Sequence, residues 1–228
     1  MAPNAIISYD GTDNDHDALM LGRVLHAAGA KLTLAYVRHA AQLRPDSEQL
    51  AEHEAEALLE RGARLLDDPY VERRVVMSAA TGEGLGWLAG QEHADLIVFG
   101  SEYRTPVGRV AVGRSAQTLL DGGPAALALA PAGYASAPEP HVATIGILPG
   151  SADEAAIETA FSLAGRLDAK VVDRGRGVDL LVVGSRREAR EGRVMITSSA
   201  QNAIEEASSP VLIVARGAAL HFETLVTA

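Results

Sequence analysis

The sequence predicts an α/β protein built on a parallel sheet. Short apolar runs alternate with helix-patterned segments, and runs such as AIISY and AALALA are continuously apolar, as strands buried on both faces are. The pattern also restarts after residue 141, so the same plan is used twice.

The elements follow in order. AIISY (5–9) reads as a buried strand. DGTDND supplies turn and N-cap residues for a helix over HDALMLGRVLHAAG, which Gly29 ends. KLTLAYV (31–37) is the second strand. A long helix covers 47–68, with Leu50, Leu58, Leu59, Leu65 and Leu66 marking its apolar face and Glu52, Glu54 and Glu56 in water. VERRVVMSA (71–79) is the third strand, TGEGLGWLAGQEHA a glycine-weakened helix, and DLIVFGS (95–101) the fourth strand. SAQTLLDGG is a short helix and AALALA (125–130) the fifth strand.

The segment 131–141 is rich in Pro, Ala and Ser and reads as a linker. Beyond it, DLLVVGSRREAREGRVMITSSAQ (179–201) repeats DLIVFGSEYRTPVGRVAVGRSAQ (95–117) at about half its positions, 84 residues on and without a gap. IISYDGT (6–12) is echoed by GILPGS (146–151). The second copy is shorter, because KVV (170–172) runs through DRGRG straight into DLLVVGS. The expected domains are 1–130, a linker 131–141, a shortened copy 142–217 and a tail 218–228. A lobe this small is marginal alone, so it is expected to pack on the first through the two terminal strands, as an intramolecular pseudo-dimer with further homodimerisation open.

Composition narrows the function. The chain has no cysteine, which removes disulfides, Cys-based zinc sites and thiol catalysis. A net charge of −10 disfavours broad nucleic-acid binding. No signal peptide or membrane-length apolar run is visible, so a cytoplasmic protein without a membrane partner is expected. The seven histidines are scattered without metal-ligand spacing, and no G-x-S-x-G elbow occurs. Asp13, Asp15 and Asp17 read as charges at a helix N-terminus.

FGSEYRTPVGRVAVGRS (99–115) is the most informative stretch. A glycine-rich segment between a parallel strand and a helix fits an anion cradle, and equally an ordinary surface connection. GRVAVGRS (108–115) approaches a P-loop, but Arg114 stands where that motif needs lysine to reach the terminal phosphates.

The order of elements, the DGT after the first strand, the spacing of Gly100 and Gly113, and the GR–V element at 108–110 and 192–194 resemble the universal stress protein family. The resemblance covers essentially the whole chain as a tandem. It implies an open parallel five-stranded sheet of order 3-2-1-4-5 flanked by helices, duplicated here with the second copy truncated. It also implies ATP as ligand, with accompanying Mg²⁺ left open. Asp10 matches an acid near adenine and ribose, Val37 a backbone contact to adenine, and Gly100 and Gly113 the outer glycines of the phosphate loop, with Arg114 and the displaced Ser115 after them. Tyr103 replaces the middle glycine and is expected to crowd the phosphate, while Arg114 could grip it as a charged fork. In the second copy Pro149 replaces the acid, Arg187 the middle glycine and Thr197 the last one, so its site is expected to be lost.

The expected function is a non-catalytic module that binds or senses adenine nucleotide in the stress response. A nucleotide-free scaffold for a protein partner is the alternative. An adenylating enzyme is a third reading, weakened by the missing lysine and Mg²⁺ acids.

Overall fold

The computed structural model describes residues 2–39, 45–136, 141–151 and 153–222. The last six residues of the expected tail and residues 137–140 of the expected linker lie outside these. The elements are β1 (Asn4–Ser8), α1 (Asp13–Ala27), β2 (Lys31–His39), α2 (Pro45–Leu66), β3 (Glu72–Ser78), α3 (Thr81–Glu92), β4 (Leu96–Phe99), α4 (Arg114–Leu120) and β5 (Ala126–Leu129). A 3₁₀ turn at Tyr134–Ser136 follows, then β6 (Thr144–Ile147), α5 (Glu154–Leu167), β7 (Lys170–Val172), β8 (Leu180–Gly184), α6 (Ser198–Glu205) and β9 (Val211–Val214).

The strands form one nine-stranded sheet of order β3-β2-β1-β4-β5-β9-β8-β6-β7. The first five carry the expected order 3-2-1-4-5. The second repeat contributes four strands in the corresponding order, without a third. The sheet is not parallel throughout: β5 and β9 meet antiparallel, with Leu127 opposite Ile213 and Leu129 opposite Val211. The terminal strands of both repeats thereby satisfy edges that would otherwise be open.

Each sheet face carries one core that runs across this seam. On one face Ile7, Leu25 and Leu34 of the first repeat join Ile145, Leu163 and Leu212 of the second. On the other, Ile97, Leu119 and Leu127 join Leu181, Ile204 and Ile213. Leu58, Leu59 and Leu66 of α2 are buried as their spacing predicts, but Leu65 is half-exposed and turns away from the core. The side chain of Leu50 lies outside the described residues.

The glycines of α3 are packing devices. A Cβ on Gly82 would sit 2.5 Å from the Ser115 carbonyl oxygen, and one on Gly86 3.0 Å from Leu119, so their absence lets α3 close onto α4. In the second repeat, residues 173–179 replace α2, β3 and α3. This connection lies flat on the sheet because a Cβ on Gly146 would stand 2.3 Å from the Arg174 carbonyl oxygen.

Candidate functional site

In a sheet of order 3-2-1-4-5 the connections diverge on either side of β1 and β4, which opens a crevice at their carboxyl ends. Every residue singled out for binding lies at this end of the first repeat.

The turn after β1 carries Asp10. Gly11 adopts φ +85°, and a Cβ there would strike Leu58 at 2.6 Å. Thr12 then caps α1. Asp15, in the first turn of α1, reaches back: its carboxylate accepts from the Asp10 N–H at 2.7 Å and the Thr12 N–H at 3.2 Å. Burial, reinforced by the Asp10 carboxyl, pushes Asp15 up to about 8. A side-chain hydrogen bond from Asp15 holds Asp10 below its ordinary value. Near neutrality the pair keeps one proton, on Asp15, and Asp10 remains an ionised acceptor exposed at the mouth of the crevice.

The opposite wall is the loop after β4. A Cβ on Gly100 would lie 1.9 Å from the Asn14 carbonyl oxygen, and Asn14 Nδ2 donates to the Ser101 carbonyl at 2.7 Å. The first glycine of the loop is therefore demanded by the close approach of α1. Ser101 is buried, and its hydroxyl donates to the Ala130 carbonyl at 2.7 Å while accepting from the Ala111 N–H at 3.2 Å. Ser185 does the same in the second repeat, donating to Val214 at 2.7 Å and accepting from Met195 at 3.3 Å. Sequence reasoning passed over Ser101, although its recurrence as Gly-Ser in both copies was a usable signal.

The middle of the loop belongs to the seam. Val110 N–H donates to the Ala207 carbonyl at 3.3 Å, and its counterpart Val194 donates to Gly123 at 3.1 Å. Gly108 and Gly192 turn the chain at φ +75° and +72°. The repeated Gly-Arg-Val thus joins the two repeats reciprocally.

At its far end the loop enters α4 through Gly113, the N-cap, at φ −71°. A Cβ there would meet nothing closer than 3.8 Å. Arg114 is exposed, and Ser115 is half-buried with its carbonyl under Gly82. Tyr103, expected to crowd this space, is 75% exposed, with the Arg104 guanidinium 5.4 Å from its ring centre.

Val37 lies on β2 where that strand outruns β1. The last β1 pairing is Ser8 with Ala35, whereas Val37 pairs only toward Val76 of β3. A concavity of about 400 Å³ between β2 and α2, lined by Tyr36, Leu58 and Arg61, shares Leu58 with the Gly11 turn. Other concavities lie at the amino ends of β1–β3, beside α2 and β3, and at the seam.

Two acidic residues depart from their reading as helix charges: Asp15, which keeps its proton near neutrality, and Asp17. Asp17 is buried, not a solvated helix charge, and its carboxylate accepts from the Gly133 and Ala135 N–H groups at 2.8 and 2.7 Å. It fastens the segment after β5 to α1. Among the described residues no cluster of three or more His, Asp or Glu side chains is arranged to hold a metal ion, and no helix is long and apolar enough to cross a membrane.

These features define a doubly wound α/β protein whose two repeats share one sheet, with the topological switch point of the first repeat between β1 and β4. The model of the universal stress protein family matches residues 1–130 and 172–215, and the chain belongs to that family. Solved structures that span more than nine-tenths of this chain agree on the fold. A universal stress protein from Archaeoglobus fulgidus DSM 4304 superposes with a TM-score of 0.71 at 12% identity, covering 94% of this chain and 98% of that one. A protein of unknown function from Pseudomonas aeruginosa PAO1 gives 0.58 at 12%, covering 93% and 92%. A universal stress protein in complex with cAMP is 22% identical over 42% of this chain and 75% of that one, with a TM-score of 0.37. A search of the curated proteins returns no match.

Proposed function

We propose that the chain is a non-catalytic adenine-nucleotide-binding module that acts in the stress response of the cytoplasm, with ATP held in the first repeat. The observation that carries this reading is Gly113. Its φ is ordinary and a Cβ would have room, so neither backbone strain nor packing requires glycine there. Close approach of a ligand to the backbone would. Asp10 would accept ribose hydroxyls, the free edge of β2 at Val37 would meet the base, and Arg114 and Ser115 would meet the phosphates. The outward Tyr103 leaves that approach clear. The nucleotide supplies the negative charge; the chain's own groups orient it.

A nucleotide-free scaffold for a protein partner is the second reading. It is favoured by the Ser101 and Val110 contacts, which commit much of the loop to structure. Calorimetric titration with ATP separates the two. One site per chain is expected, weakened about tenfold or more by Asp10→Ala and untouched by Pro149→Ala. Two sites per chain would overturn the assignment to the first repeat, and no binding would favour the scaffold.

A further inference from the structure

We infer that the seam between the repeats holds a second site, for a small phosphate-bearing anion, independent of the crevice at β1 and β4. The shortened β7–β8 connection and the α6–β9 turn enclose a concavity of about 380 Å³ beside the first repeat's loop. Its lining includes Arg109, Arg176, Gly177, Ser208 and Ser209. Arg109 comes from the first repeat and the others from the second, so the site exists only where the truncation has brought them together.

The chemistry of the lining selects an oxyanion. Arg109 Nη1 is anchored by donation to the Glu206 carbonyl at 3.1 Å, which leaves the rest of its fork available. Arg174 donates to the Gly177 carbonyl at 3.1 Å and so braces this turn. Among the described residues, the N–H groups of Gly177, Ser208 and Ser209 and both serine hydroxyls have no protein partner. Gly177 adopts φ +63° in this turn. Two guanidiniums, Arg109 and Arg176, are thus gathered around donor-only or donor-capable groups in a chain of net charge −10. The single carboxylate of the lining, Glu206, pairs with Arg176. It occupies Arg176 with a negative charge, as an incoming phosphate would. An anion entering the seam takes Arg176 from Glu206 and draws on Arg109 of the opposite repeat.

Thermal denaturation and calorimetry of the full chain with inorganic phosphate, at ionic strength balanced by chloride, test this. A saturable rise in melting temperature is expected for the native chain. Arg176 is 83% exposed, so Arg176→Gln should fold normally, and it should abolish the rise. Glu206→Gln frees Arg176 and should lower the half-saturating phosphate concentration several-fold. A short phosphomonoester in a parallel arm shows whether the free ion or an organic phosphate binds more tightly, and tighter binding of either supports the site. No effect beyond chloride, or an unchanged response in Arg176→Gln, would overturn the inference.

Discussion

The guanidinium of Arg109 crosses from the first repeat to the second and donates to the Glu206 carbonyl at 3.1 Å. Its counterpart Arg193 crosses back to the Gly122 carbonyl at 3.4 Å. Around each, the same loop recurs: Gly108 N–H donates to Ala132 and Gly192 N–H to Arg216, both at 2.8 Å. An approximate two-fold relation therefore passes through the β5–β9 pair. One repeated loop supplies both halves of the interface, which is the self-complementary logic of a symmetric dimer.

The fragment 1–135 should accordingly lose stability or self-associate. Removing the second repeat uncovers Leu127 and Leu129 along β5 and leaves its edge unpaired. Sedimentation and thermal melting of the fragment should show dimers, or a melting temperature well below that of the whole chain. A monomer that melts with the whole chain would contradict the shared core.

Gly100→Ala and Gly184→Ala should each destabilise the protein by roughly 3 kcal/mol or more. The new methyl groups would meet backbone oxygens, Asn14 O at 1.9 Å and Ser151 O at 2.3 Å, which cannot rotate away. Gly113→Ala, with nothing closer than 3.8 Å, should melt within a few degrees of the native protein while weakening ATP binding. Melting curves and titration of the three variants separate packing glycines from an access glycine.

That contrast shows what the sequence could and could not convey. Apolar runs and their alternation with helices were enough for the strands and the parallel sheet of the first repeat, because burial on both faces leaves a plain signature; the strand order was implied only by the family resemblance. The 84-residue repeat made the truncation visible. The sequence did not distinguish why a glycine stands at 100 and at 113, since that depends on what approaches each Cα in three dimensions. Asp17 was misread for the same reason: an acid near a helix start looks solvated until a distant segment, here Gly133–Ala135, brings its N–H groups to it. The Gly-Arg-Val element was legible as conserved between the copies, but its work at the seam appears only once β5 meets β9.

Ser101→Ala should cost about 1–3 kcal/mol, because it strands a buried carbonyl and an N–H that share one hydroxyl. Ser185→Ala should cost a similar amount, since its two bonds repeat those of Ser101. Chemical denaturation of both single variants measures this directly. A negligible effect at either position would mean that water replaces the hydroxyl.

Asp15→Asn should change how stability depends on pH, and the direction follows from the carboxyl pair. Asp15 is raised to about 8 in the folded chain by burial and by Asp10 beside it. A carboxyl whose folded value lies above its unfolded value binds its proton more tightly when folded. Between about pH 4 and pH 8 the unfolded chain has released that proton and the folded chain has not, so the Asp15 contribution falls as pH rises. Asp10 is lowered, so its contribution is present above the ordinary carboxylate range and is lost only in more acidic solution. The neutral window therefore carries the Asp15 slope without an opposing one from Asp10. Asparagine preserves an acceptor for the Asp10 and Thr12 N–H groups and a donor for the Asp10 carboxylate, but it cannot ionise. The variant should gain on the native chain by several degrees in melting temperature from pH 5 to pH 8, and less at the acidic end. Calorimetric melts across that range test it. A difference that stays flat with pH would show that the pair does not hold a shared proton, and with it would go the reason that Asp10 stays ionised at the crevice.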